Sequence, residues 1–160
     1  MAIRSSLPTE DFDSWVMPWL PDLWRFAVSL SSLDDADDLV QDALARAWTK
    51  RASFDPARGS ARSWLLAIVA DHARRRWIRR AKPVELAPTP APEPDPARLD
   101  LRRAIAALPE RQRTTVFLHY YLDLPVSETA AVLGCAEGTV KSTLHDARRA
   151  LARRLEPGDD

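Results

Sequence analysis

Apolar residues recur every three or four positions along most of the chain, and no stretch alternates with a two-residue period for long enough to argue for a strand. The pattern predicts an all-α protein. Pro18 and Pro21 should break or restart the opening helix, and Pro21 suits the first turn of a helix running to about Ser31. Asp34 or Asp35 should cap a second helix that ends near Lys50, and a third should start near Ser60, after the loop SFDPARG, and continue through the arginine run. Four more helices are expected at about 96 to 107, 109 to 122, 127 to 133 and 137 to 155.

Two of these helices are sharply two-faced. On a wheel of about 100° per residue, Leu39, Ala43, Ala36, Ala47, Val40, Leu44 and Trp48 make one arc of the second helix. Asp37, Gln41, Asp34, Asp38, Asp42 and Asp35 fill the other. Aspartates in a first turn stabilise a helix through its macrodipole, which accounts for Asp35, Asp37 and Asp38 but not for Asp42, two turns in. The acidic arc therefore reads either as a solvated face or as a docking surface for a basic patch on another protein. On the last helix Val140, Leu144, Ala147, Leu151 and Leu155 form an apolar stripe, opposite Lys141, Ser142, His145, Asp146 and Arg149. Ser127 could cap the short helix before it, and Gly134 supplies the turn between the two. Short helix, glycine turn, second helix is the helix-turn-helix pattern, whose second helix enters the major groove; a plain helical hairpin is the alternative.

The clearest boundary is PVELAPTPAPEPDP, residues 83 to 96, with six prolines, three acids and no basic residue. Proline removes amide donors and holds the backbone near polyproline geometry, so this stretch reads as a linker. Fully extended it would reach roughly 40 Å, enough to hold two domains well apart. Domains are thus expected at 1–82 and 97–160, each close to the lower size at which one core suffices.

Composition narrows the chemistry. The 160 residues carry 23 basic and 23 acidic side chains, so net charge alone advertises no polyanion partner. The pattern does. Five aspartates and no basic residue lie between Asp34 and Asp42, whereas Asp71 to Lys82 holds five arginines, one lysine and a single acid. Lys141 to Glu156 is basic again. Arg74, Arg75 and Arg76 are consecutive and fan over roughly 200° of helix, so they cannot all share one side. Trp77 among them offers a stacking platform for an unpaired base, unless it packs in the core. Four well-separated glycines exclude a glycine-rich phosphate cradle, and one cysteine permits neither an internal disulfide nor a cysteine-rich zinc site. The histidines at 72, 119 and 145 lack metal-ligand spacing, and no nucleophile pairs with a base, so neither an enzyme nor a cofactor is expected. WVMPWLP is too short to span a bilayer, and the chain is expected in the cytoplasm.

Three segments together resemble the extracytoplasmic-function (ECF) sigma factors, the smallest sigma subunits of bacterial RNA polymerase. DADDLVQDALARAW (35–48) is similar to that family's core-binding motif, FDPARGSARSWLLAIVADHARRR (54–76) to its promoter-melting segment, and LPERQRTTVFLHYYLDLPVSETAAVLGCAEGTVKSTLHDARRAL (108–151) to its region 4. The resemblance implies a region 2 bundle and a region 4 helix-turn-helix domain joined by the proline-rich linker. It implies that Asp37, Asp38, Gln41 and Asp42 dock on the clamp helices of core RNA polymerase. It implies minus 10 contacts from the loop 53–62 and the helix beyond, through Ser60, Arg62, Arg74, Arg75, Arg76 and Trp77. Thr139, Lys141, Ser142, His145, Asp146 and Arg149 would read the minus 35 element. An anti-sigma factor is an implied partner, and one anchored in a membrane would hold the chain near it. The other function weighed is a stand-alone helix-turn-helix transcriptional regulator, which would bind promoter DNA without polymerase.

This sequence departs from the family pattern at several positions. Asp71 stands where many members carry asparagine beside the melted strand, and a carboxylate there would repel phosphate. Asp146 stands where a basic residue is frequent and could accept from a cytosine amino group or pair with Arg149 or Arg153. Ala136 takes the place of a serine or proline before the recognition helix. Tryptophans 15, 19 and 24, beside the two prolines, are unusual.

Overall fold

A computed structural model describes residues 11–79 and 95–156. Among the described residues the chain is helical and has no strand. α1 (Phe12–Val16) passes through a 3₁₀ turn containing Pro18 into α2 (Leu20–Leu30), whose first turn holds Pro21 as expected. α3 (Leu33–Lys50) starts slightly earlier than Asp34 because Ser32, not an aspartate, is its cap. The Ser32 hydroxyl accepts from the Asp35 amide at 3.3 Å and donates to the Asp35 carboxylate at 3.0 Å, a reciprocal lock on the first turn. α4 (Ala61–Arg79) carries the arginine run.

α5 (Pro96–Ala106) begins with a proline and is capped by the side chain of Asp95, so the last two residues of the proline-rich stretch belong to a helix start. The remainder of that stretch, 83–94, lies outside the described residues. α6 (Glu110–Val116) widens into a π-helical turn, Phe117–Tyr121, where the Leu122 amide reaches back five residues to the Phe117 carbonyl. α7 (Val126–Leu133) begins after Pro125 without a side-chain cap, so Ser127 lies inside the helix and does not cap it. α8 (Glu137–Leu155) completes the described fold.

The two halves pack against each other. α4 lies against α7, and the larger core runs across both: Leu23, Phe26, Leu39, Leu65, Leu66 and Val69 from the first half meet Leu118, Leu122, Leu124 and Val132 from the second. Phe26 stacks on Phe117 with ring centroids 6.1 Å apart. A smaller core behind α7 gathers Leu108, Val116, Ala130, Val140, Leu144, Ala147 and Ala150, and Leu133 touches both. The linker's length leaves the relative packing of the halves open, and here the described residues of the two halves are in contact, a closed arrangement. Its physical reason is apolar area: burying a leucine fully is favourable by about 1.5–3 kcal/mol, and Leu118, Leu122 and Leu124 of the second half are buried in the larger core.

Candidate protein-binding and nucleic-acid-binding faces

The apolar arc of α3 buries Ala36, Leu39, Val40, Ala43 and Ala47, with Leu44 half-buried and Trp48 at the exposed edge under the Arg51 guanidinium, 3.8 Å from its ring. The opposite arc leaves Asp37, Asp38, Gln41 and Asp42 exposed on one face. Neighbouring helices fix part of it. Asp35 takes Arg76 of α4 at 2.9 Å, Asp37 accepts the Trp24 indole N–H from α2 at 2.8 Å, and Asp42 faces His72 of α4 at 3.2 Å. Asp38 makes no side-chain hydrogen bond or ion pair among the described residues.

The loop before α4 is anchored by an aromatic group. Phe54 lies 5.3 Å from Trp15 and 5.5 Å from Trp64, both edge-on, with Trp15 and Trp64 6.0 Å apart. Ser60 caps α4, its hydroxyl accepting from the Ser63 amide at 3.1 Å. Arg62 is turned inward: Nε donates to Asp22 at 2.8 Å and Nη2 donates to the carbonyl of Leu122 in the second half. A recess of about 550 Å³ separates this loop from α7, lined by Phe54, Arg58 and Ser60 on one side and Ser127 and Glu128 on the other.

Beyond the recess the arginines diverge as their spacing requires. Arg74 is exposed with no ion pair among the described residues, Arg75 pairs with Asp71 at 3.2 Å, and Arg76 bends back to Asp35. The backbone of Trp77 continues α4; its side chain lies outside the described residues. The six candidates therefore do not form one basic patch. Ser60 and Arg62 line the seam between the halves, while Arg74 and Arg75 face solvent.

The second half presents its candidates together. Gly134 adopts φ 64°, the left-handed geometry that L side chains avoid, and closes α7 by turning the chain into α8. Ala136 begins α8 with no side-chain cap. Val140, Leu144 and Ala147 are buried and Leu151 half-buried, as the periodicity predicts, but Leu155, the last residue of α8, is exposed. Lys141, Ser142, His145, Asp146 and Arg149 are all exposed, with Thr139 half-buried at the near end. Lys141, His145 and Arg149 follow at four-residue steps, a line of about 12 Å at 1.5 Å per residue. Asp146 pairs with neither Arg149 nor Arg153.

Three features lay beyond sequence reasoning: the Trp24 partner of Asp37, the Asp22 and Leu122 partners of Arg62, and the 3.2 Å contact of Arg148 with the Tyr120 hydroxyl. Each joins residues distant in sequence through one polar atom, and periodicity carries no signal for that.

Comparisons with known proteins agree on both halves. Residues 11–83 match the family model of Sigma-70 region 2, and residues 98–151 that of Sigma-70, region 4. The ECF RNA polymerase sigma factor SigF of Caulobacter vibrioides is 39% identical over 133 residues, covering 78% of this chain and 73% of SigF. SigC of Mycobacterium tuberculosis, also an ECF sigma factor, is 39% identical over 155 residues, covering 86% and 80%. The structure resembles the sigma factor RpoE from Bartonella quintana in complex with the anti-sigma factor NepR, with a TM-score of 0.78 and 32% identity over 94% of this chain and 99% of that one. Because the likeness spans both halves in order, and includes the helices that carry the acidic and recognition faces, the chain belongs to the ECF sigma factors of bacterial RNA polymerase.

Proposed function

We propose that the chain recruits core RNA polymerase through the acidic face of α3 and reads two promoter elements through α4 with its preceding loop and through α8. Sigma factors are initiation factors and not enzymes, so its work is binding and positioning. Asp37, Asp38, Gln41 and Asp42 dock on the clamp helices. Ser60, Arg62, Arg74, Arg75, Arg76 and Trp77 hold the opened minus 10 strand, where an unstacked base needs a pocket and its phosphates need guanidinium groups. Thr139, Lys141, Ser142, His145, Asp146 and Arg149 read the minus 35 element in the major groove. The observation that carries this reading is the outer face of α8, whose five exposed polar side chains follow a left-handed glycine turn.

Size adds a requirement. Elements about 25 base pairs apart are roughly 85 Å apart along the duplex at about 3.4 Å per pair. A folded chain of this length is only roughly 40 Å across. The closed arrangement cannot read both elements, so α7 must leave α4, with the stretch 83–96 as the connector between domains 1–82 and 97–160. Binding of α3 to polymerase is the event that offsets the exposed apolar seam. An anti-sigma factor, the class of partner in the RpoE complex, would hold the chain closed or covered, and near a membrane where that partner is anchored in one. No described helix is long and apolar enough to cross a membrane.

Transcription in vitro with core polymerase on a pooled promoter library tests the reading. Transcripts from one promoter class, lost on Asp38→Lys with Asp42→Lys, are expected. A nanomolar footprint on duplex DNA by the free chain, with transcription indifferent to those two changes, would identify a stand-alone helix-turn-helix regulator instead.

A further inference from the structure

The N-terminal tryptophans divide into those with a packing role and one without. Trp15 and Trp64 pack with Phe54, and Trp19 borders the larger core. Trp24 is 41% exposed, although indole rings are normally among the most buried side chains. What fixes it is polar. Its Nε1–H reaches from α2 to Asp37 Oδ1 on α3 at 2.8 Å.

An indole nitrogen donates and never accepts, so this bond has one sense: Asp37 turns an acceptor oxygen toward α2. Its other oxygen, Oδ2, has no partner among the described residues and remains available. Asp34 and Asp38 flank Asp37 on the same arc, and their charges push its carboxylate away from them. Left alone, that carboxylate would sample several rotamers, and a partner would have to immobilise it on binding.

The geometry points to Trp24 as a positioning residue of the polymerase-docking surface: its indole N–H holds Asp37 in one rotamer before the polymerase arrives. This rests on the docking role proposed for α3. Trp24 acts through Asp37, and the donor rather than the ring is the working part.

The test uses the full chain and core RNA polymerase, with affinity read from the anisotropy of a fluorescent label. Trp24→Phe keeps a ring and removes the donor. It should weaken binding about two- to tenfold, the cost of fixing one side chain on association. Asp37→Ala should weaken binding at least as much, and adding Trp24→Phe to Asp37→Ala should cost nothing further. A merely structural Trp24 would instead lower affinity equally in both backgrounds, and that additivity overturns the proposal. So does a Trp24→Phe chain with full affinity while Asp37→Ala is impaired, including the case where only Trp24→Ala binds weakly, which would make the ring a direct contact. If Asp37→Ala itself binds normally, the docking assignment of Asp37 falls, and the positioning role falls with it. Should Trp24→Phe not fold, the native tryptophan still reports. One of the six indole N–H resonances should move upfield and exchange faster in Asp37→Ala; if none does, the bond does not exist in solution and the proposal is wrong.

Discussion

The outer faces of α3 and α8 are both polar, both exposed and both on long amphipathic helices, yet they are built differently. On α3, three carboxylates have partners on neighbouring helices: Asp35 with Arg76, Asp37 with Trp24 and Asp42 with His72. On α8, Lys141, His145, Asp146 and Arg149 have none among the described residues. Position explains the contrast. α3 packs between α2 and α4, and side chains from both reach its acidic edge, whereas α8 packs against α5, α6 and α7 through its apolar stripe and no neighbouring side chain among the described residues bonds Lys141, His145, Asp146 or Arg149. A flanked face arrives preset, which suits a rigid protein surface. An unflanked face keeps its rotamers, which suits base edges and phosphates approached through ordered water.

Charge reversal on the preset face gives the largest expected effect. Asp38→Lys with Asp42→Lys should reduce run-off transcript by at least about 100-fold, because like charges brought together at an interface cost several kcal/mol and each ~1.4 kcal/mol is tenfold. The fold should barely notice. Asp38 has no partner among the described residues, and an exposed pair such as Asp42 with His72 contributes about 0–1 kcal/mol, so the thermal midpoint should stay within about 4 °C. Unimpaired initiation by this variant would remove the basis for treating α3 as the docking face.

The open face of α8 should respond more gently and without any stability cost. Arg149→Ala should weaken promoter binding by the polymerase complex by about 1–3 kcal/mol if the guanidinium meets a base edge. If it meets a phosphate, the loss should be uniform across promoter sequences and the salt slope should fall by about one. The thermal midpoint should not move, since Arg149 has no hydrogen-bond or ion-pair partner among the described residues. A destabilised Arg149→Ala chain would mean that α8 is more flanked than its described contacts indicate.

Much of this contrast was legible in the sequence. Helix positions, the buried arcs of α3 and α8 and the Gly134 turn follow from 3.6-residue periodicity and backbone sterics, which are local. What the sequence concealed is long-range. Leu118, Leu122, Leu124 and Val132 look like any helical stripe, and nothing near them states that they meet Phe26 and Leu66 of the other half. The caps misled for a related reason: Asp34 and Asp35 are good cap residues, but Ser32 is better placed to bond the Asp35 amide. The parting of the arginines follows from their spacing, but nothing local states that Arg76 would turn back to α3 while Arg74 stays outside.

That divergence separates two neighbouring arginines experimentally. Arg76→Ala should lower stability by about 1 kcal/mol, the upper range for a partly exposed ion pair, and should disturb α3 as well as DNA binding. Arg74→Ala should leave the thermal midpoint unchanged and weaken only the hold on the opened strand. Equal loss of stability in both would erase the distinction between a flanked and an unflanked charge within α4.

The smallest effect is expected at Asp71, where the two kinds of face meet. Its carboxylate lies 3.2 Å from Arg75 and 3.8 Å from Arg46, with about a third of the side chain exposed, so it ties α4 to α3 through weak, solvent-screened pairs. Asp71→Asn removes the charge and keeps the shape. Stability should fall by less than about 1 kcal/mol, the usual ceiling for exposed pairs. Strand binding should change in the opposite direction, because the substitution releases Arg75 and deletes a negative charge beside the proposed path of the phosphates. An increase of up to about threefold in the affinity of the polymerase complex for single-stranded minus 10 DNA, fading as salt is raised, is expected. Weaker strand binding in Asp71→Asn would instead mean that the Asp71 carboxylate holds Arg75 in its working orientation, making this end of α4 a preset surface like α3.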